Sequence, residues 1–284
     1  MTSKVALVTG AGGLIGNYIA GTAAALAPSW KIHALTRSDV DLTDHEALRR
    51  LFHTLRPQLV VHCAAISKPL ACQQQPDLAH KVNVEATAFL AELAADIPFI
   101  FFSSDLVFDG CAGNYDECAP VNPLSFYAET KVAAERIVLA NPQHVVLRVG
   151  LNGGLSPTGD RGFNEEMRRA WQAGQMLTLF TDEFRCPIPA AVTARAVWEL
   201  VGKYRPGLYH LCGSERLSRW QIGQLLASRW SQMNPKLQPA SRRDYHGPPR
   251  PQDVSLNCAK LQALLSFPLP GLTEWLAAHP DEPF

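Results

Sequence analysis

The run Thr9-Gly10-Ala11-Gly12-Gly13-Leu14-Ile15-Gly16 constrains this chain more than any other segment. It follows a short apolar stretch at residues 5–8 and precedes an apolar, Ala-rich stretch at 14–27 that Pro28 ends. Glycines 10, 13 and 16 stand three apart. A chain that leaves a strand by so tight a turn and enters a helix at once needs backbone free of Cβ atoms where the segments cross. The helix start so formed presents free N–H groups and the positive end of its dipole to an anion. With a strand before and a helix after, that anion is expected to be the pyrophosphate of a dinucleotide; a glycine turn without a ligand is the bland alternative.

The alternation continues. Residues 31–35 are expected to form a second strand and 44–55 an amphipathic helix with Ala47, Leu48, Leu51 and Leu55 on one face. A third strand at 59–65 reads as buried on both faces, followed by a long helix at 78–95 and a fourth strand at 98–103. A helix at 125–139 and a fifth strand at 145–149 complete the series. Right-handed crossovers then leave an α/β fold with a doubly wound parallel sheet. After Leu151 the pattern loosens: helices are expected at 164–174, 193–203 and 218–230, a strand at 208–211, and short helical pieces at 261–265 and 272–278. Residues 234–251 carry five prolines and are expected to be loop or extended chain. Residues 1–150 thus read as a Rossmann domain, and 151–284 mainly as a smaller C-terminal substrate lobe, with the chain returning to the first domain around 186–212.

Composition excludes several classes. Twenty-six basic residues balance 26 acidic ones, so the net positive field of a general nucleic-acid binder is absent. No stretch approaches the roughly 20 consecutive apolar residues of a spanning helix, and the N-terminus lacks the order of a secretory signal. The seven cysteines contain no CxxC pair, nine histidines form no metal-ligand spacing, and no GxSxG elbow occurs. Free thiols, no metal and a cytoplasmic location are the expectation.

Cofactor preference turns on the end of the second strand. An acidic residue there grips the ribose of NAD; this chain has Thr36 and Arg37, and a guanidinium suits the 2′-phosphate of NADP. NADP(H) is therefore favoured, while Asp39, two residues on, keeps NAD(H) as the alternative. Asp41 and Leu42 are candidates for the adenine; equally, Thr43 with Glu46 would make a capping box for the next helix.

Tyr127 and Lys131 stand at i and i+4, on one face of the expected helix. A nearby ammonium favours the phenolate and lowers the tyrosine's pKa from near 10, making it a proton donor to a carbonyl under reduction. Ser103-Ser104 ends the fourth strand, where ligands bind in such sheets, and a serine hydroxyl there can hold the carbonyl oxygen. His62, inside the third strand, reads as a core or cofactor-contacting residue.

With glycine turn, serine and YxxxK in this order, the chain resembles the extended short-chain dehydrogenase/reductase family. The segments 56–65, 82–84, 103–110 and 122–124, with Arg250-Pro251 and 253–256, are similar to its dTDP-4-dehydrorhamnose reductase branch. The regulatory β subunit of methionine adenosyltransferase belongs to the same branch. The resemblance implies that Gly10, Gly13, Leu14, Ile15 and Gly16 cradle the pyrophosphate, that Cys63, Ala64 and Ala65 line the cofactor, and that Lys131 also reaches the nicotinamide ribose. Ser104, Tyr127 and Lys131 would be the catalytic triad for NADPH-dependent reduction of the C4 ketone of a nucleotide-linked 4-keto-6-deoxysugar. Ser67, Ser104, Arg185 and Arg250 are the substrate-binding candidates; each arginine equally fits a structural ion pair. Another carbonyl substrate, an epimerase, or a cofactor-binding regulatory subunit are the alternatives, with a homodimer as one assembly open to the class. Three positions depart from the pattern: Leu106 replaces a tyrosine, Ala128 a glycine, and no aromatic follows Arg148-Val149.

Arg37→Ala is expected to weaken NADPH binding far more than NADH binding in a fluorescence titration; equal loss for both would refute the 2′-phosphate contact.

Overall fold

The computed structural model describes residues 4–284. Its centre is a six-stranded, all-parallel sheet. Strands β1 (Lys4–Thr9), β2 (Trp30–Leu35), β3 (Leu59–His62), β4 (Phe99–Ser104) and β5 (Val145–Val149) alternate with helices α1 (Leu14–Leu26), α2 (His45–Leu55), α3 (Pro69–Gln74), α4 (Pro76–His80), α5 (Ala86–Leu93) and α6 (Phe126–Leu139). The short strands β6 (Asn152–Gly153), β7 (Met176–Phe180), β8 (Phe184–Arg185) and β9 (Ile188–Pro189) lie between β5 and β10 (Gly207–Leu211), with α7 (Phe163–Gln172) and α8 (Ala190–Lys203) among them. Then come β11 (Leu217–Ser218), α9 (Arg219–Arg229), β12 (Lys236–Ala240), α10 (Ala259–Gln262) and α11 (Leu272–Ala278). The sheet order is β10-β5-β4-β3-β1-β2, so the chain reverses direction of travel between β1 and β3. A crevice opens there, at the carboxyl ends of the strands.

Both faces of the sheet are covered, as near-continuous apolar strands require. Ala6, Val8, Val61, Ile100 and Leu147 point to one side, against α1 and α8. Leu7, Val60, Phe99, Phe101 and Val146 point to the other, against α2, α5 and α6. A separate core packs α7, α9 and α11 through Trp171, Trp230, Trp275 and Phe284. Among the described residues no helix is long and apolar enough to cross a membrane.

Three local expectations are corrected, and a fourth, the loop or extended chain at 234–251, is made specific. The third strand ends at His62 rather than 65, because the chain leaves the ladder to line the crevice. Asp44, not Thr43, caps α2: its carboxylate accepts from Ala47 N–H at 2.9 Å, while Thr43 donates to Asp41. The long helix expected at 78–95 begins at Pro76 and contains one π-helical turn, Lys81–Glu85, between α4 and α5. The proline-rich stretch contains a strand: β12 pairs in parallel with β7, with Pro239 opposite Leu179. A two-stranded ribbon has free edges, where a missing N–H is tolerated.

The first turn explains its glycines. Gly10 has φ +72, and a Cβ there would lie 2.7 Å from Ala64 N; a Cβ on Gly16 would overlap the Gly10 carbonyl oxygen. Both neighbours are backbone and cannot swing aside. Gly16→Ala is expected to destabilise the chain by about 2 kcal/mol or more in denaturant unfolding. Gly21→Ala, on the same helix with nothing within 4 Å, should instead be neutral or gain up to about 1 kcal/mol.

Candidate active site

The crevice between β1 and β3 has the chemistry of a dinucleotide cradle. Helix α1 starts at Gly13 without a side-chain cap, which leaves its first N–H groups, at Leu14, Ile15 and Gly16, facing the turn. Cys63, Ala64 and Ala65 form the opposite wall, half-buried, with Cys63 N–H closing the ladder on Thr9 O at 3.3 Å. At the end of β2, Asp39 is engaged in its own turn: its carboxylate accepts from Thr36 N–H at 2.8 Å and the Thr36 hydroxyl at 2.6 Å, contacts that hold its pKa below the ordinary value. Arg37 is exposed and, among the described residues, makes no ion pair. Asp41 is exposed and accepts from Thr43; Leu42 is half-buried against the core. These residues fit an anionic dinucleotide.

Ser104 ends β4, and Tyr127 lies in the first turn of α6, which Ser125 caps by accepting from Ala128 N–H. Lys131 follows one helical turn later. All three are buried, Lys131 to 2% exposure. The phenol is enclosed by Cys72, Ala79, Ile66, Leu106 and Phe126, so α3, a helix the sequence did not announce, forms part of its cover.

This enclosure reverses the expected charge logic. Burial pushes the Tyr127 phenol above its ordinary pKa; the Ser104 hydroxyl beside it and Arg185 favour the phenolate but do not win, and Asp105 opposes them. Lys131, expected to acidify the phenol, has its ammonium 4.0 Å from the centroid of the Phe101 ring, and burial brings its pKa down to about 7 against the opposing pull of Glu135. In the protein alone, desolvation decides, and Tyr127 stands protonated.

Asn83 sits in the π-helical turn and joins three parts of the site. Its side-chain oxygen accepts from Ile66 N–H at 2.8 Å, and its amide donates to Ile66 O and to the Thr130 hydroxyl. Thr130 donates in turn to Tyr127 O at 2.6 Å. A π turn at a functional site is a recurrent device, since the extra residue re-aims a side chain. His62 is buried between Thr9 and Thr87, 2.6 and 2.9 Å away, and burial lowers its pKa to about 3. It is a neutral core histidine.

The substrate candidates divide. Arg185 forks onto Asp105 at 2.8 and 2.8 Å, and Arg250 onto Glu183 at 2.6 and 3.0 Å. Ser67 is exposed beside Lys68, whose ammonium meets Glu166 of α7 at 2.8 Å. Sequence reasoning missed Arg219. It is the first residue of α9, its N–H donates to Glu183 O, and β11 before it pairs with β8, which places it beside Arg185. Among the described residues its guanidinium makes no ion pair; burial lowers its pKa to about 10, with Glu183 opposing and Arg185 and Arg250 adding to the fall. Only the fold reveals this cluster. Glu135 was missed too: it is buried, takes hydrogen bonds from Arg148 and Ser103, and lies one turn beyond Lys131.

Residues 4–282 match the RmlD substrate binding domain family. The chain belongs to that family. Its class is the extended short-chain dehydrogenase/reductases, NAD(P)-dependent oxidoreductases. The chain is 29% identical over 278 residues to a Xenopus laevis protein named methionine adenosyltransferase 2 subunit beta, covering 92% of this chain and 83% of that protein. It is 29% identical over 288 residues to a Haloferax volcanii protein named probable low-salt glycan biosynthesis reductase Agl14, covering 96% of each. A crystal structure of dTDP-4-dehydrorhamnose reductase from Bacillus anthracis in complex with NADP has the same fold, with a TM-score of 0.88, 21% identity and 98% of each chain covered.

The buried lysine makes a stability prediction. Below pH 7 Lys131 is charged whether folded or not, and its burial penalty is fully present; between about pH 7 and 10.5 the folded form sheds its proton first and stability rises with pH. Lys131→Met should therefore melt several degrees higher than the parent at pH 7, with the gap closing toward pH 10.5, as followed by circular dichroism.

Proposed function

We propose that this chain reduces the C4 ketone of a nucleotide-linked 4-keto-6-deoxysugar, with NADPH as cofactor. The observation that carries this reading is a buried, protonated phenol beside a serine hydroxyl, with a cluster of three arginines joined to that serine's neighbour through the Arg185–Asp105 fork. The bound reduced nicotinamide supplies a hydride. The chain's own residues do the rest. Ser104 donates to the ketone oxygen, and Tyr127 gives that oxygen its proton as it becomes an alcohol. A phenol kept protonated by burial is in the correct state for this direction. Lys131, which exchanges its proton near pH 7, passes a proton from its ammonium form to the phenolate, regains one from water, and contacts the nicotinamide ribose. Arg37 holds the 2′-phosphate, and the exposed Asp41 and Leu42 the adenine.

The C-terminal lobe, mainly residues 151–284, holds the sugar nucleotide. Arg185 and Arg250 border its diphosphate while paired to Asp105 and Glu183. Arg219 is the arginine with charge to spare, and it contacts the diphosphate directly. Ser67 faces the sugar from the loop after β3.

A second reading is supported by the sequence likeness to the methionine adenosyltransferase subunit: a cofactor-binding regulatory subunit on the same shell. Steady-state kinetics separate the two. With a 4-keto sugar nucleotide, NADPH consumption should fall about 100-fold or more in Tyr127→Phe with cofactor binding kept. Arg219→Ala should raise KM about tenfold or more while kcat changes little. No NADPH consumption with any nucleotide-sugar ketone, together with a stable complex with another enzyme on purification from the source, would favour the regulatory reading.

A further inference from the structure

Three cysteines far apart in sequence meet at the carboxyl end of β10, outside the machinery described above. Cys212 follows the last residue of that strand and is buried; its sulfur lies 3.2 Å from the sulfur of Cys258, and its N–H donates to the same Cys258 sulfur at 3.2 Å. Cys186 completes the group, packed with Cys212 in one buried cluster. The cluster is backed by rigid main chain: a Cβ on Gly150 would stand 2.6 Å from both Cys186 O and the Cys212 Cβ. Cys258 is only half-buried and so open to a small solute, whereas Cys186 and Cys212 are enclosed. Two sulfurs held closer than ordinary non-bonded contact, one of them reachable, are arranged for oxidation rather than for packing alone.

We infer that Cys258 and Cys212 form a peroxide-oxidised pair that closes to a disulfide. The Cys258 sulfur attacks one oxygen of hydrogen peroxide; the O–O bond breaks, the sulfur is oxidised to a sulfenic acid and water leaves. The Cys212 sulfur then attacks the Cys258 sulfur; an S–S bond forms, the S–O bond breaks, and the hydroxide departs with the Cys212 proton as a second water. Two electrons pass from the thiols to one peroxide. The new bond closes a 46-residue separation that contains Arg216, Arg219 and Arg250. It ties the segment that carries Arg250 and Asp253 to the central sheet, reinforcing the 2.6 Å ion pair of Asp253 with Arg216.

The test uses the whole reduced chain, treated with hydrogen peroxide, alkylated and digested without reductant for mass spectrometry. The expected main product is the Cys212–Cys258 linked peptide, with two of the seven thiols lost, a melting temperature several degrees higher, and reversal by dithiothreitol. Cys258→Ser and Cys212→Ser should show neither the link nor the shift, while Cys186→Ser should keep the link. The link should form at least tenfold faster in the folded chain than in guanidinium. Equal rates in both states, a link among other cysteines such as the exposed Cys111 and Cys118, or Cys258 passing to sulfinic acid without a link would each overturn the inference.

Discussion

The close passage of backbone at Gly10 is the constraint on which the rest depends. Strand β1, the start of α1 and the end of β3 converge there: the Ala64 backbone leaves no room for a Cβ on Gly10, and the Gly10 carbonyl leaves none for a Cβ on Gly16. Because both approaches are main chain to main chain, the positions of the α1 N-terminus and of the 63–65 wall are fixed together. The strand order then places the crevice between β1 and β3, with β4 and its terminal Ser104 one strand beyond. The uncapped start of α1 and the Ser104 hydroxyl are thus brought to one edge of the sheet by the winding of the chain, before any side chain is chosen for chemistry.

Burial decides how the reactive groups behave. Lys131 and Tyr127 both lie under α3 and the loop before it, and enclosure favours the neutral form of each. The site therefore holds a proton on oxygen and can take or release one at the amine near neutral pH. Asn83 makes this geometry reproducible by bonding the 66 loop and α6 at once. Charge is concentrated elsewhere, where Arg185 and Arg250 pair with the buried carboxylates of Asp105 and Glu183 and Arg219 stands beside them without an ion pair among the described residues. The division suits a substrate with a neutral reacting carbonyl at one end and an anion at the other.

Much of this was legible in the sequence because it is local or periodic. The glycine spacing, the alternating apolar runs and the i, i+4 pair of Tyr127 and Lys131 are properties of short windows, and the strands and helices of the first half follow them within a few residues. What escaped was either too short or too distant. Helix α3 has only six residues, Pro69 the first of them and Pro76 soon after its end, and its amphipathic period has no room to show. Strand β12 holds a residue that argues against a strand on its own, Pro239, and exists because β7 offers an edge. The π turn at Asn83 is invisible to a 3.6-residue period. Arg219 gained its meaning only when β11 was paired with β8, and the sign of the shift at Tyr127 depended on burial, which spacing does not reveal.

The central claim is that a ketone on a nucleotide-linked sugar receives hydrogen at C4 on this chain. It is tested most directly with NADPH carrying deuterium at both hydrogens of nicotinamide C4, mixed with a panel of 4-keto sugar nucleotides and read by proton NMR of the product. The account predicts deuterium at C4 of the sugar, one per cofactor consumed. Bound cofactor with no deuterium in any sugar product would contradict it.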